Sequence, residues 1–445
     1  MTARLERGGS LGRGAGRVRP PGTTVTITGL AAGGDGIARL DDGRVVFCEG
    51  ALPAERVRIE VVEQRRDYAR ARVVEVLDAS EARQVPPCPH LARGCGGCTW
   101  LHVRPSDQAP LKAGIVVDAL RRIAHLPDVA VTPAPPERPR VPAVGYRTTV
   151  RLAVDRDGRP AYRWRHANET VAVDSCGVAH PLLAELIGGS RFPGAREVVL
   201  RVGARTGERL AAPDRARGVV VPEGTVVSPP HGPPAAVHEV VDGRRWRVSA
   251  TSFFQPGPEA AEAVVGAVAS AVAPIWPATG VGRGPRPVVA DLYAGVGMLG
   301  ASVVARLGGA SLVSVESSPG SAQDALANLA GLDARVVLGD VDLVCGRGSV
   351  VSLDGRCPDV VVADPARPGL GPSASGAVAA LGAPLIVVVS CDPASLARDA
   401  VLLGRLGYRL ESVEVLDLFP GTFHVECVSR FTACAAVGAS RSEGL

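Results

Sequence analysis

The chain has 445 residues, 46% of them hydrophobic, which is enough for roughly two or three domains with full cores. Its net charge is only +4, and Lys112 is the only lysine among 49 basic residues, so the arginine count says little about nucleic acid. The stretch 1–22 has no apolar run for a signal peptide, and the apolar stretch 263–281 is cut by Pro274 and Pro277 short of the about 20 residues a bilayer needs. A soluble, cytoplasmic chain without membrane contact is expected.

In chain order, residues 1–22 read as a disordered, basic Gly/Arg tail. Residues 23–79 alternate with the two-residue period of strands and are broken by AAGGDG and LDDG, giving about five short strands and a small OB-like all-β barrel. Such barrels bind oligonucleotides or serve as adaptors. Residues 80–245 are mixed α+β, with a hairpin expected over 146–165 around RDGR and with loops at the Pro-rich TPAPPERPRVP and VVSPPHGPPAA. From 246 to 436 the rhythm becomes strand then helix, and residues 437–445 form a tail. PVVADLY, SLVSVES, ARVVLGD, DVVVAD and PLIVVVS are continuous apolar runs, expected of a parallel sheet covered on both faces. YRLESVEVLDLF and HVECVSRFTA are expected to close it with an antiparallel hairpin.

Within CPHLARGCGGCTWLH, Cys88, Cys95 and Cys98 fall close together, the last two as a Cys-x-x-Cys step with intervening glycines. Clustered thiols in a reducing compartment suit a metal better than a disulfide. Zinc and a four-iron cluster both take a fourth ligand, for which Cys176 competes with His90, His102 and His180. Thiolate count does not choose between the metals.

VVADLYAGVGMLG is a strand, an acid, then Gly295-x-Gly297 opening a helix. Glu316 closes the next strand, where an acid holds ribose hydroxyls, and Asp340 ends a third. With no phosphate-binding fingerprint, S-adenosylmethionine fits this pattern better than NAD or ATP. Asp364 stands at a rigid Asp-Pro turn, and Cys391 follows PLIVVVS at the same edge. With Pro393 in the first turn of the next helix, the helix N-terminus is expected to lower the thiol's pKa.

Taken together, FFQPGPEAAEAV, DLYAGVGMLG, DPARPGLG, SCDPASLARD and FPGTFHVECV resemble, in order, the motifs of the tRNA/rRNA uracil-C5 methyltransferases. The likeness runs over nearly the full length. It implies a Rossmann-like class I methyltransferase domain, and the barrel is similar to a TRAM domain. It also implies that Cys88, Cys95, Cys98 and Cys176 hold a [4Fe-4S] cluster. Gln255, Tyr293, Gly295, Glu316 and Asp364, with Asp340, would line the cofactor and uracil pocket. Cys391 would be the nucleophile that adds to C6, and Glu426 the base that removes the C5 proton. The chain departs from common family residues at Gly257, Ala294, Met298 and Asp392. The expected partner is structured rRNA or tRNA, presented as a flipped or single-stranded base, and the expected state is a monomer with no obligate protein partner. Two rivals are a cytosine-C5 methyltransferase and a non-catalytic iron–sulfur RNA-binding protein. An iron–sulfur oxidoreductase would need a nicotinamide or flavin fingerprint that the sequence lacks.

Overall fold

The structure, a computed structural model, describes residues 22–164, 169–173, 175–275, 286–346 and 356–434. The two expected tails lie outside them, apart from Gly22. Among the described residues no helix is long and apolar enough to cross a membrane. The chain divides into two compact units, residues up to Gly29 with 35–81, and residues 30–34 with Ala82 onward.

In the first unit, strands Thr23–Thr26, Gly36–Arg39, Val45–Glu49, Arg56–Gln64 and Tyr68–Asp78 share one sheet. Their alternating residues Val25, Val46, Val57 and Ile59 form its core. The Thr28 N–H donates to the Ile37 carbonyl at 2.8 Å and curls the sheet back on itself. Several barrel arginines are used in cross-strand pairs, Arg56–Asp78 and Arg58–Glu75 at 2.7 Å and Arg72–Glu60 at 2.6 Å.

The second unit contains two large sheets. The first runs Thr170–Val171, Pro160–Arg163, Thr149–Val154, Glu197–Val202, Arg209–Pro213, Thr225–Val227, covered by helix Pro181–Gly189. The hairpin expected around RDGR is present, its turn closed by Asp155 Oδ1, which accepts from the Asp157 and Arg159 amides.

The other sheet has eight strands, in the order Ala334–Leu338, Ser311–Glu316, Val288–Leu292, Val360–Ala363, Leu385–Ser390, Glu426–Ala433, Tyr408–Leu416, Ala130–Pro133. Its centre is continuous apolar sequence because both faces are covered. Ala290, Leu292, Val361, Ala363, Ile386 and Val388 enter one core; Val289, Val360, Val362, Leu385 and Val387 enter the other. Proline opens the covering helices Pro105–Ala119, Pro258–Val272, Pro319–Asn328 and Pro393–Arg405, where its missing N–H has no partner to lose. The last hairpin is antiparallel as expected, and Glu426–Ala433 inserts between two strands that precede it in sequence.

One element differs from expectation. Ala130–Pro133 ends inside the Pro-rich stretch expected to be loop, with Thr132 and Pro133, yet it pairs in parallel with Ser412–Val415 as the outermost strand. Proline is tolerated there because an edge strand has one side without hydrogen bonds. Helix Pro105–Ala119 likewise packs Ala113, Val116 and Ala119 into the core of the large sheet.

Candidate active site

The parallel strands Val288–Leu292, Ser311–Glu316, Val360–Ala363 and Leu385–Ser390 end at one edge, where the antiparallel Glu426–Ala433 begins. Just past the first strand, Tyr293 has φ +60, a rarely populated conformation for a bulky side chain and one that concentrates at functional sites. Gly295 follows, and its amide donates to Glu316 Oε2 at 2.8 Å, while Glu316 Oε1 accepts from the Ser318 amide at 2.7 Å. Two backbone amides thus fix this carboxylate at the strand end.

Asp291, inside the strand two residues before Tyr293, is buried, and its Oδ2 accepts from the Gly300 amide at 2.9 Å. Only glycine permits that approach, since a Cβ at position 300 would lie 2.6 Å from the same oxygen. Asp291 Oδ1 and Gln255 Oε1 are both buried without a hydrogen-bond partner. They line a cleft of about 40 Å³ with Phe253, Tyr293, Gly295 and Asp364. Buried orphan acceptors facing a cleft mark a place built for a donor. Burial pushes the carboxyls of Asp291 and Asp364 up to about 7.

The Gln255 loop is tied down at both ends. Buried Arg201 donates through Nη2 to the Ser252 carbonyl at 2.6 Å, and the Thr148 amide donates to the Pro256 carbonyl at 2.8 Å. At Gly257, one of the departures from the family pattern, a Cβ would lie 2.5 Å from the Tyr146 carbonyl oxygen. Asp340 does not join the cleft. It is exposed beyond the outermost parallel strand, although its charge helps to push the Tyr293 hydroxyl up.

Cys391 directly follows Ser390, which pairs with Cys427; continuing that register past the strand end brings Cys391 beside Glu426, whose charge acts on the thiol. Cys391 is half-buried; Glu426 is only 5% exposed. Burial, followed by the Asp364 charge, holds the Glu426 carboxyl well above the usual range. The lowered thiol pKa expected at Cys391 is not what the structure gives: burial, then the charges of Glu426 and Asp364, push it up to about 11. The helix N-terminus is worth about 0.3–1 kcal/mol. Asp392 already caps that helix, its Oδ1 accepting from the Ser395 amide at 2.8 Å, and its own charge further raises the thiol. Arg367 opposes these effects without overturning them.

Cys88, Cys95, Cys98 and Cys176 line one cavity of about 510 Å³. Cys88 precedes the turn Pro89–Ala92, and Gly94 at φ +91 reverses the chain so that the Cys95 amide donates to the His90 carbonyl at 3.0 Å. The Gly96 amide then donates to Arg163 at 3.3 Å, pinning the loop to the neighbouring sheet. Of the competing histidines only His90 lines the cavity, with Nδ1 3.8 Å from Cys88 Sγ. Burial, then repulsion from the other thiols, pushes Cys98 up to about 12 and Cys95 in the same direction. Among the described residues no group of three or more His, Cys, Asp or Glu is gathered closely enough to hold a single metal ion.

Asp291 and Phe253 were not singled out from sequence as site residues. The acid inside VVADLY, just before Gly-x-Gly, carried the signal for the first. Nothing in FFQPG separates exposed Phe253 from its half-buried neighbour Phe254.

Numbered within the domain, the strand order is 3-2-1-4-5-7-6 with the seventh strand antiparallel, and the acids and Gly-x-Gly turn stand at the carboxyl edge. These features define a class I, S-adenosylmethionine-dependent methyltransferase fold. Residues 23–74 match the TRAM domain. An uncharacterized RNA methyltransferase of Streptomyces avermitilis is 34% identical, over 91% of this chain and 96% of its own. A 23S rRNA (uracil(1939)-C(5))-methyltransferase of Alkalilimnicola ehrlichii is 33% identical, over 92% of this chain and 96% of its own. The chain belongs to this RNA uracil-C5 methyltransferase family. In fold it is similar to the crystal structure of Pyrococcus abyssi tRNA (uracil-54, C5)-methyltransferase in complex with S-adenosyl-L-homocysteine. That likeness has a TM-score of 0.65 and 23% identity, and covers 92% of this chain and 100% of the other.

Proposed function

We propose that the protein methylates C5 of a uridine in structured RNA, ribosomal or transfer, in the cytoplasm, through a covalent Cys391–C6 adduct. The observation that carries this reading is the facing placement of Cys391 and Glu426 at the edge that also holds the orphan acceptors of Gln255 and Asp291.

When bound, S-adenosylmethionine supplies the methyl group and a positive sulfonium charge. Glu316 would accept its ribose hydroxyls, and Tyr293, Gly295 and Asp291 would line its path along the strand ends. The half-buried Cys391 thiol gives its proton to water, and Sγ bonds to C6 of the uracil. The C5–C6 π pair shifts onto C5 and O4, where Gln255 or Asp364, protonated, can hydrogen-bond the ring's polar edge. C5 takes the methyl group, and the pair of the broken methyl–sulfur bond stays on sulfur. Glu426, once ionised, removes the C5 proton; that C–H pair restores the double bond as Sγ leaves with its own pair.

For the cysteines we propose a [4Fe-4S] cluster. The support is that the four cysteines line one cavity, and both a four-iron cluster and zinc take four such ligands; the family resemblance selects the cluster.

The test is label transfer from methyl-labelled cofactor to RNA. 5-Methyluridine formed by the native chain and absent with Cys391→Ala supports the reading. 5-Methylcytidine as the product would replace it with the cytosine alternative, and no label at all would favour an RNA-binding role.

A further inference from the structure

The cysteine loop and the segment leading to Glu426 are hydrogen-bonded to one another. Immediately after Cys98, Thr99 Oγ1 accepts from the Phe423 amide at 3.3 Å, and the Trp100 amide donates to the Gly421 carbonyl at 2.8 Å. Gln108, buried, joins the two stretches with one side chain. Its Nε2 donates to the Val103 carbonyl at 3.1 Å, and its Oε1 accepts from the Gly421 amide at 2.7 Å. One turn further along the same helix, Lys112 has no exposed surface. Its Nζ meets Asp417 Oδ1 at 2.5 Å and the Phe419 carbonyl at 3.2 Å. Gly421 itself lines the cysteine cavity. Cys391 takes no part in these bonds, being held by its own strand and by the helix that Asp392 caps.

We infer that the cysteine loop is a positioning element for Glu426, acting through Thr99, Trp100 and the positioning residue Gln108, so that disturbing it slows removal of the C5 proton more than methyl transfer. The inference rests on the proposed roles of Cys391 and Glu426. It gives the cysteine centre a function in one step of the reaction, beyond folding or RNA contact.

The experiment follows methyl-labelled cofactor into two pools, free RNA and protein-linked RNA on denaturing gels, with iron content and melting temperature measured on the same samples. Gln108→Leu removes both bonds of the bridge. Release of label from the protein-linked pool is expected to slow about ten-fold, the loss of a hydrogen bond or two, while formation of that pool changes less than about two-fold. Iron content should be unchanged. Thr99→Val should act in the same direction and Thr99→Ser should restore release, which a purely structural defect would not do. Parallel slowing of formation and release, or release at the native rate in both Gln108→Leu and Thr99→Val, overturns the inference. Glu426→Gln, run alongside, separates the layers. Trapping there with native-rate release in both Gln108→Leu and Thr99→Val removes the positioning role alone; normal release in Glu426→Gln removes the assignment of the base and the positioning role with it.

Discussion

Cys391 is the residue after Ser390 and Glu426 the residue before Cys427, and Ser390 and Cys427 are paired on neighbouring antiparallel strands. Side chains opposite each other in a ladder share a face, so continuing that register one step would bring the proposed nucleophile and base to the same side of the sheet. Substitution should separate their roles. Cys391→Ala should bind RNA and form no adduct. Glu426→Gln should add and methylate, then accumulate a protein–RNA species that carries the new methyl group. Label migrating with protein in the second variant and absent from the double variant is the expected gel; normal turnover by Glu426→Gln would end the assignment.

The thiol of Cys391, pushed up to about 11, should react slowly with iodoacetamide at neutral pH in the absence of ligands. Its rate should climb about ten-fold per pH unit between roughly 7 and 10 as the thiolate fraction grows. Exposed Cys357 and Cys434 serve as internal references when modified peptides are followed by mass spectrometry. A plateau already reached at pH 7 would contradict the buried, carboxylate-flanked setting.

Asp291 titrates near 7 in the fold against about 3.9 in an unfolded chain, so the folded state keeps a proton that the unfolded state has released. This raised value contributes stability that is complete below about pH 4 and is lost as pH rises through about 7. Asp291→Asn keeps the acceptor for the Gly300 amide and cannot ionise. In urea titrations without cofactor it should match the native chain near pH 4 and exceed it by roughly 2–4 kcal/mol at pH 8. Equal stabilities at pH 8 would show that the burial is relieved in solution.

Much of this site was legible because it depends on local chemistry. Continuous apolar runs announced strands with two covered faces, and the residues that end them, Glu316, Asp364 and Cys391, fall at one edge by topology alone. Asp340 followed the same logic, but it lies just past the outermost parallel strand and stands exposed, outside that cleft. The thiol's acidity was misjudged because a helix N-terminus is visible in sequence, whereas the buried Glu426 and Asp364 that oppose it arrive from other strands. Ala130–Pro133 was hidden by Pro133 and the prolines that follow it, and its partner, Tyr408–Leu416, lies far along the chain. Lys112 was visible as the only lysine, but its ion pair with Asp417 was not.

Glu316→Ala deletes the acceptor for the Gly295 and Ser318 amides and the proposed partner of two ribose hydroxyls. Calorimetry should show cofactor affinity falling by on the order of 2–3 kcal/mol. Unchanged affinity would mean that the adenosyl site lies elsewhere.

Protein purified without oxygen should be brown and hold about four irons per chain. Cys176→Ser should lower that content, and full retention would remove Cys176 from the ligand set. Stoichiometric zinc with no iron would instead assign the cavity to a different metal.

The slot filled by Glu426–Ala433 lies between strands made earlier, Leu385–Ser390 and Tyr408–Leu416. During synthesis, the Leu385–Ser390 strand, with Cys391 at its tip, leaves the ribosome before the residues that will seal its flank. A nascent or prematurely terminated chain thus carries the thiol beside an open sheet edge, ready for strand pairing with other chains and lacking Glu426. On the proposed roles, such a fragment would carry the nucleophile without the base that removes the C5 proton. The order of manufacture therefore makes the final insertion a folding step that would also complete the proposed catalytic pair, because Glu426 arrives only when the sheet is closed.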